Sequence, residues 1–232
     1  MRLFYDSNIS SSDLSYTLSE EESKHIVRVL RMQKGDQIGL LNGKGGSFTC
    51  EITDAHSKKC QLKIVKHTFE KKPEYDIHIA ISPTKQQDRM EWFVEKATEI
   101  GVTEITLIAC QNQERSKVKV DRLIKKAISA MKQSRRHYLP IINELTPIND
   151  FIKNNSNGLI AHCYKNSKEN FESAFNKTNC PILIGPEGDF TQEEITFALK
   201  NGYKTITLGK NRLRTETAGV YVCTISKFLL DK

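Results

Sequence analysis

From residue 76 to the C-terminus the chain alternates short apolar runs with amphipathic ones, and that rhythm leaves few folds open. "DIHIAIS", "EITLIAC", "GLIAHC", "PILIG" and "YKTITLG" are apolar runs of strand length. Between the first two, "QDRMEWFVEKATEIG" sets Met90, Phe93, Val94, Ala97 and Ile100 at helical spacing and closes on Gly101. "DRLIKKAISAMKQSRRH" lays Leu123, Ile124, Ala127, Ile128 and Met131 along one stripe, and "TQEEITFALKNG" and "TETAGVYVCTISKFLLD" supply two further helices. Such alternation implies an α/β fold, a mostly parallel sheet with helices on both faces.

The first 70 or so residues read differently. "DQIGLLNGKGGSFTCEITDA" holds two strand-like runs around a glycine-rich hairpin signal, and "KCQLKIVKHTF" alternates apolar and polar residues. One helix interrupts them, "SEEESKHIVRVLRM", with Ser19 as N-cap and three glutamates in the first turn, where they suit the helix dipole. Short strands with tight turns and little helix suggest a small barrel. The charged, proline-bearing stretch "EKKPEY" (70 to 75) serves as a linker. The expected division is therefore 1–72 for a β-barrel domain and 73–232 for the α/β domain.

Composition narrows the function classes. The 232 residues are 38% hydrophobic, and no stretch approaches the ~20 apolar residues of a membrane helix. "MRLFYDSNIS" lacks the apolar run of a secretory signal, so a cytoplasmic location and no membrane partner are expected. The six cysteines stand singly, without a C-x-x-C pair, and the six histidines show no ligand spacing. Reduced, mostly buried thiols and no metal are expected. The net charge of +7 suits a polyanionic partner such as RNA, and equally a basic surface kept for solubility.

Two segments near the C-terminus share one plan of strand, glycine, tight loop and helix: "ILIGPEGDFTQEEI" (182 to 195) and "TLGKNRLRTETAGVY" (207 to 221). In an open α/β sheet ligands bind at the carboxyl ends of the strands, where both loops sit. Glycine lets backbone approach a ligand and proline stiffens the turn, so backbone N–H and C=O groups stand ready for an adenine edge or a ribose. Neither G-x-x-x-x-G-K-[ST] nor G-x-G-x-x-G after the first strand is present, which points away from a cradled triphosphate. The structural alternative is that Gly185 and Gly188 serve only a strand-to-helix turn. In "NRLRTETAG" the threonines suit caps and Glu216 suits the first helical turn. Arg212 and Arg214 oppose the helix dipole there, which suggests an anionic partner such as an RNA phosphate.

On these residues the sequence resembles the SPOUT methyltransferases and, more closely, the RsmE family, which methylates N3 of a uridine in bacterial 16S ribosomal RNA. The resemblance covers nearly the whole chain. "HIVRVLRMQKGD", "DRMEWFVEKATEIGV", "ERS" (114 to 116), "AMKQSRR" (130 to 136), "IGPEGDFTQEEI" and "LGKNRLRTETA" follow in the family's order. One departure is Asp189, where many relatives carry a second glycine.

The resemblance implies more than spacing can. The C-terminal domain would be a SPOUT-type α/β fold with a deep trefoil knot, an exception to the rule against threaded loops. The N-terminal domain would be a PUA-like barrel that grips RNA. The cofactor would be S-adenosylmethionine, held by Leu183, Gly185, Pro186, Glu187, Gly188, Leu208, Gly209, Leu213, Thr217 and Ala218. The enzyme would be a homodimer acting on 16S rRNA of the 30S subunit. Methyl transfer needs the uridine N3 proton to leave, so a cation favouring the anion or a general base is required. Arg214 and Arg136 are candidates for the cation, and Glu216 for the base. Lys24, Arg28 and Arg31 on the N-terminal helix form either a phosphate-binding face or a merely solvated one. Lys85, Arg89 and Arg212 are further candidates for RNA contacts. Two alternatives remain at this level: another RNA such as tRNA as substrate, or a non-catalytic RNA-binding module.

Overall fold

The computed structural model describes residues 1–115, 117–165, 168–176 and 180–232. Ser116, the last residue of "ERS", lies outside them. The chain divides into two compact units. Met1–Lys72 and Met131–Leu139 make the first; Pro73–Ala130 and Pro140–Lys232 make the second. The first unit thus takes in the "SRRH" segment from the middle of the chain, Ser134 to His137.

In the first unit, β1 (Leu3–Tyr5), β2 (Ser15–Thr17), β3 (Gln37–Leu41), β4 (Gly46–Asp54) and β5 (Gln61–Phe69) form one sheet in the order β1-β3-β4-β5-β2. β1 pairs with β3 in parallel; the other pairings are antiparallel. Register shifts at Thr49/Cys50 and Ile52/Asp54 interrupt the β4–β5 ladder, bend it and raise its twist. Phe4, Ile38, Leu40, Phe48, Ile52 and Leu62, with Ile26, form the core this sheet wraps.

The helix expected over "SEEESKHIVRVLRM" starts as expected: the Ser19 hydroxyl accepts from the Glu22 backbone N–H at 3.3 Å. It does not continue as one regular helix. α1 (Glu20–Lys24) passes into a π-helical turn, His25–Val29, and Arg31 sits in the left-handed region with φ 53°. The wider π-turn changes the angular spacing of side chains, and Arg31 lies beyond the helical end at Leu30. Lys24, Arg28 and Arg31 therefore do not occupy one regular helical face. Lys24 is paired with Glu20 at 2.6 Å, and Arg28 donates to the Ser57 hydroxyl at 3.4 Å.

The second unit is the α/β body. Its strands are β6 (His78–Ile81), β7 (Glu104–Ala109), β8 (Ile141–Pro147), β9 (Leu159–Ala161), β10 (Glu169–Asn170), β11 (Ile182–Ile184) and β12 (Lys204–Thr207). They lie in the order β10-β12-β9-β11-β6-β7-β8, and every pairing is parallel. Alternate strand residues serve opposite faces. Ala80, Ile160 and Leu183 join the core beneath α4 (Ile148–Asn154) and α6 (Gln192–Lys200). Ile81 faces α2 (Gln87–Ile100) and α7 (Thr215–Leu230), where Gly219 leaves room for the Phe93 ring. Met90, Phe93, Val94 and Ala97 are buried as their spacing predicts, and Gly101 ends α2 with φ 122°. α3 (Val120–Ser134) and the short α5 (Phe171–Ala174) complete the elements. The short apolar strands beside small positions bring the carboxyl ends of β9, β11 and β12 next to one another, since these strands are sheet neighbours.

The starts of α6 and α7 are fixed differently. α6 has a complete capping box: Thr191 Oγ1 accepts from Glu194 N at 3.2 Å, and Glu194 Oε2 accepts from Thr191 N at 2.8 Å. α7 has none. Its N-cap is Arg214, with no side-chain capping bond. The threonines expected as caps do other things: Thr215 donates its hydroxyl to the Gly185 carbonyl at 3.0 Å, and Thr217 is exposed. Thr215 stands one residue past the N-cap position, as the first residue of the helix.

Candidate active site

The loops after β9, β11 and β12 enclose a cavity of about 650 Å3. This is the size of a pocket for a small organic ligand, usually ~300–1,000 Å3. The loop after β11 contributes Gly185, Pro186, Glu187 and Asp189; the loop after β12 contributes Leu208 to Arg214; Thr215 and Ala218 of α7 close the floor. The glycine-loop plan in the sequence thus describes two walls of one space.

The first of these loops is tightly bonded. Its Glu187 Oε1 accepts from Lys85 N at 3.1 Å. The Asn112 amide donates to the carbonyls of Gly188 at 3.3 Å and Asp189 at 3.1 Å. Gly185 lies so close to the Phe190 ring that a β-carbon there would stand 3.0 Å from it. Asp189 has φ 65°, in the left-handed region. Glycine suits that conformation best, and aspartate is among the few side chains that tolerate it. Its carboxylate also does what a glycine cannot, accepting from Phe190 N at 2.9 Å and from Cys163 N at 2.8 Å. The departure from the family pattern therefore ties the β9 loop to the β11 loop.

The second loop is open. Gly209 has φ 114°, and nothing lies within 4 Å of the position a β-carbon would take. Lys210, Asn211, Arg212, Leu213 and Arg214 are all exposed. Arg212 is held above its ordinary pKa, chiefly by a side-chain hydrogen bond with Cys163.

A third wall was not marked in the sequence. His162, Cys163, Tyr164, Lys165 and Lys168, after β9, line the cavity. His162 is only 7% exposed, and neither ring nitrogen has a partner among the described residues. Burial, then the Lys168 ammonium, pushes its pKa down against the pull of Asp189. The Lys168 ammonium donates to the His162 carbonyl at 2.6 Å, and Tyr164 donates to the Phe190 carbonyl at 3.0 Å. "GLIAHC" is legible as a strand, and the strand-end rule could have placed these residues; no glycine pattern drew attention to them.

A family model for the RNA methyltransferase domain matches residues 70–227, and one for the RNA methyltransferase PUA domain matches residues 18–65. The chain belongs to the RNA methyltransferase family. The solved structure of a probable rRNA-methyltransferase from Porphyromonas gingivalis is 40% identical, with a TM-score of 0.90, covering 100% of this chain and 99% of that one. That of a ribosomal RNA small subunit methyltransferase E from Neisseria gonorrhoeae, bound to S-adenosyl methionine, is 26% identical, with a TM-score of 0.84 and coverage of 99% and 98%. A ribosomal RNA small subunit methyltransferase E from Mesomycoplasma hyopneumoniae is 35% identical over 180 residues, which are 73% of this chain and 76% of that protein. The mixed α/β body with its parallel sheet is the methyltransferase domain of this family, preceded by its PUA domain.

Within the methyltransferase domain the sequence-derived candidates fall into groups. Gly185, Pro186, Glu187, Leu208, Gly209, Arg212, Leu213, Arg214 and Ala218 line the cavity. Leu183 does not: it is fully buried in the core under α4 and α6. Gly188 packs on Asn112 instead, and Thr217 is exposed on α7. Glu216, 6% exposed, stands outside the lining; its Oε1 is 3.8 Å from Arg89 Nε, and its Oε2 is buried without a hydrogen-bond partner. Lys85 is ion-paired with Glu114 at 2.7 Å, and that bond raises its pKa. Arg136 belongs to the first unit, where its N–H donates to the Met131 carbonyl at 3.1 Å.

Among the described residues no helix is long and apolar enough to cross a membrane, and no cluster of His, Cys, Asp or Glu could hold a metal. All six cysteines are free thiols; Cys163 is exposed and the other five are buried.

Proposed function

We propose that this chain transfers the methyl group of S-adenosylmethionine to N3 of a specific uridine in 16S rRNA of the small ribosomal subunit. The observation that carries this reading is the cavity at the carboxyl ends of three adjacent parallel strands, in a chain of the RNA methyltransferase family. Relatives named for small-subunit rRNA methylation, and the S-adenosyl methionine bound in the gonococcal structure, support it.

The cavity suits that cofactor. Its walls offer Ile184, Ile206, Leu208, Leu213 and Ala218 to an adenine, and loop backbone to its polar edge and ribose. No phosphate has to be cradled. Gly185, Pro186 and Glu187 form the fixed wall of this site, while Leu208, Gly209 and Leu213 form the other. When bound, the cofactor supplies an electrophilic methyl carbon on a sulfonium. The uridine N3 forms the new C–N bond in line with the breaking C–S bond, and the N3 proton leaves. This chemistry asks for placement and for charge stabilisation. The target base has to be unpaired or flipped out to reach the cavity. Arg214, exposed on the cavity wall at the start of α7, stabilises the negative charge that develops on the uracil. Glu216 is the proton acceptor in this reading, with Arg89 Nε 3.8 Å from its Oε1. Lys24, Arg28 and Arg31 in the first unit, and Lys85, Arg89 and Arg212 in the second, contact RNA in this reading.

The enzyme acts as a homodimer in the cytoplasm, on the 30S subunit. Tyr221 and Phe228 on α7 and Trp92 on α2 are exposed and support such pairing. The cavity loops form a trefoil knot in this reading.

The test is transfer of labelled methyl to 30S particles and to naked 16S RNA, followed by nucleoside mapping. Label in 3-methyluridine at one site is expected; label in another nucleoside, or in tRNA alone, would overturn the assignment. Arg214→Ala is expected to lower turnover by about 10²–10³-fold, the usual size of a lost oxyanion-type contact, without weakening cofactor binding. Glu216→Gln separates its two roles: loss of a general base costs about 10²–10⁴ in turnover, whereas a purely structural partner of Arg89 would leave turnover near normal.

A further inference from the structure

The charge around the cavity does not match the ligand it is proposed to hold. Five cations line it: Lys165 and Lys168 after β9, and Lys210, Arg212 and Arg214 after β12. Two carboxylates oppose them, Glu187 and Asp189, and both are already engaged by backbone N–H groups. Lys165, Lys210 and Arg214 are exposed and make no ion pair among the described residues. S-adenosylmethionine carries a sulfonium, an ammonium and one carboxylate, so it is itself a net cation. Like charges repel, and lysines placed only to hold this cofactor would weaken its binding. The positive end of the α7 dipole, reached at Arg214, adds to the mismatch. Their positions make sense if an anion arrives with the cofactor.

We propose that Lys165 and Lys210, with Arg212 beside them, form a phosphate subsite at the rim of the cavity. It takes the RNA backbone next to the target uridine. The phosphate there relieves the repulsion on the sulfonium, so RNA and cofactor bind with positive coupling. This rests on the S-adenosylmethionine reading above. By linkage the coupling is reciprocal: the cofactor tightens RNA as much as RNA tightens the cofactor. The demethylated product, S-adenosylhomocysteine, has lost the sulfonium charge and is net neutral. It escapes the repulsion, so RNA discriminates between the two by charge.

The experiment is calorimetry of S-adenosylmethionine and S-adenosylhomocysteine on the full chain, at low and at physiological ionic strength, with and without an RNA oligonucleotide spanning the target. Without RNA, the affinity for S-adenosylmethionine is expected to rise with salt, because salt screens the repulsion, while that for S-adenosylhomocysteine stays flat. Lys165→Ala and Lys210→Ala are each expected to tighten S-adenosylmethionine at low salt by about threefold, the size of one unit-charge repulsion in water across ~7 Å. The charge reversals Lys165→Glu and Lys210→Glu are expected to go further. In RNA binding each alanine variant is expected to reduce the slope of log affinity against log salt by about 0.7, one phosphate contact to a single strand. Both lysines are exposed, so folding is expected to survive.

An unchanged RNA salt slope in the double variant, with cofactor binding and methyl transfer intact, would sink the subsite and leave the activity standing. Equal salt responses for the two cofactor forms would sink the coupling. If inorganic phosphate at matched ionic strength tightens the cofactor as well as RNA does, the subsite belongs to a free anion and the RNA assignment fails. A chain that binds neither cofactor form fails the reading beneath both.

Discussion

The two glycine loops look alike in sequence and are built in opposite ways. After β11, almost every polar group is committed: Glu187 to Lys85, Asp189 to Phe190 and Cys163, and the Gly188 and Asp189 carbonyls to Asn112. The loop then runs into a helix closed by a full capping box. After β12, five consecutive residues from Lys210 to Arg214 are exposed, and α7 begins on an arginine with no side-chain cap. One loop is a fixed wall; the other leaves its side chains exposed. Shared punctuation by strand, glycine and helix N-terminus thus specifies where a loop sits, and the intervening side chains decide what it is for.

The largest expected effect lies behind the fixed wall. Glu194 is buried, with Oε1 accepting from Gln111 N and Oε2 from Thr191 N, both at 2.8 Å. Glu194→Ala strips two backbone donors of a charged acceptor, and each such bond is worth ~1.5–3 kcal/mol. A loss of about 3 kcal/mol in denaturant unfolding is expected, with an unchanged m-value. A loss below about 1 kcal/mol would mean the wall does not depend on this carboxylate, and the contrast between the loops would weaken.

Thr215→Val addresses the hydrogen bond that links the α7 start to the Gly185 carbonyl, and so the second loop to the first. Removing the hydroxyl leaves a part-buried carbonyl unpaired at nearly constant volume, a cost of ~1–2 kcal/mol. Cofactor affinity is expected to fall alongside stability, because the cavity walls lose their link. A variant that loses stability alone would show that the two walls hold their separation without it.

How much of this could be read in advance follows from where each residue is buried. The parallel strands were legible because both faces are covered, so they appear as plain apolar runs; Ile79, Ala80, Ile81, Ile182 and Leu183 are fully buried. β8 is not legible because it is an edge strand whose residues are exposed or half-buried, and "IINELTP" carries no strong pattern. The π-turn at His25–Val29 has no signature in spacing. Thr215 looks like a cap in sequence, and only the fold brings the Gly185 carbonyl to it. The wall after β9 was invisible as a site because it becomes one through contacts distant in sequence, Cys163 with Asp189 and Tyr164 with Phe190. Asp189 shows the reverse case: an unusual residue noticed in the sequence whose purpose needed the φ angle and two hydrogen bonds.

A smaller effect is expected from the pH behaviour of the third wall, after β9. Burial lowers the His162 pKa in the folded protein, so below the ordinary value of ~6.5 the unfolded chain takes up a proton that the fold resists. The unfolded state then binds more protons, and stability falls as pH drops from about 6.5 toward the folded value; above ~6.5 this group adds no pH dependence. His78, also lowered by burial, acts in the same direction. His162→Asn is expected to remove part of the slope between neutral and mildly acidic pH and leave the His78 part. An unchanged slope would show that His162 is solvated enough to titrate normally.

The smallest expected effect is on the open loop, and it is the sharpest test of the comparison. Lys210→Ala and Asn211→Ala touch exposed side chains that make no ion pair or hydrogen bond among the described residues. Surface changes of this kind shift stability by no more than ~0.5 kcal/mol. Unfolding of either variant is expected to overlay the parent curve, although Lys210 sits in the same structural position, strand end to helix start, as the wall that Glu194 supports. A loss above about 1 kcal/mol at either residue would mean that the second loop is also held by its side chains. Its row of exposed cations would then have a structural reason, and the argument for an anion at the cavity rim would lose its starting point.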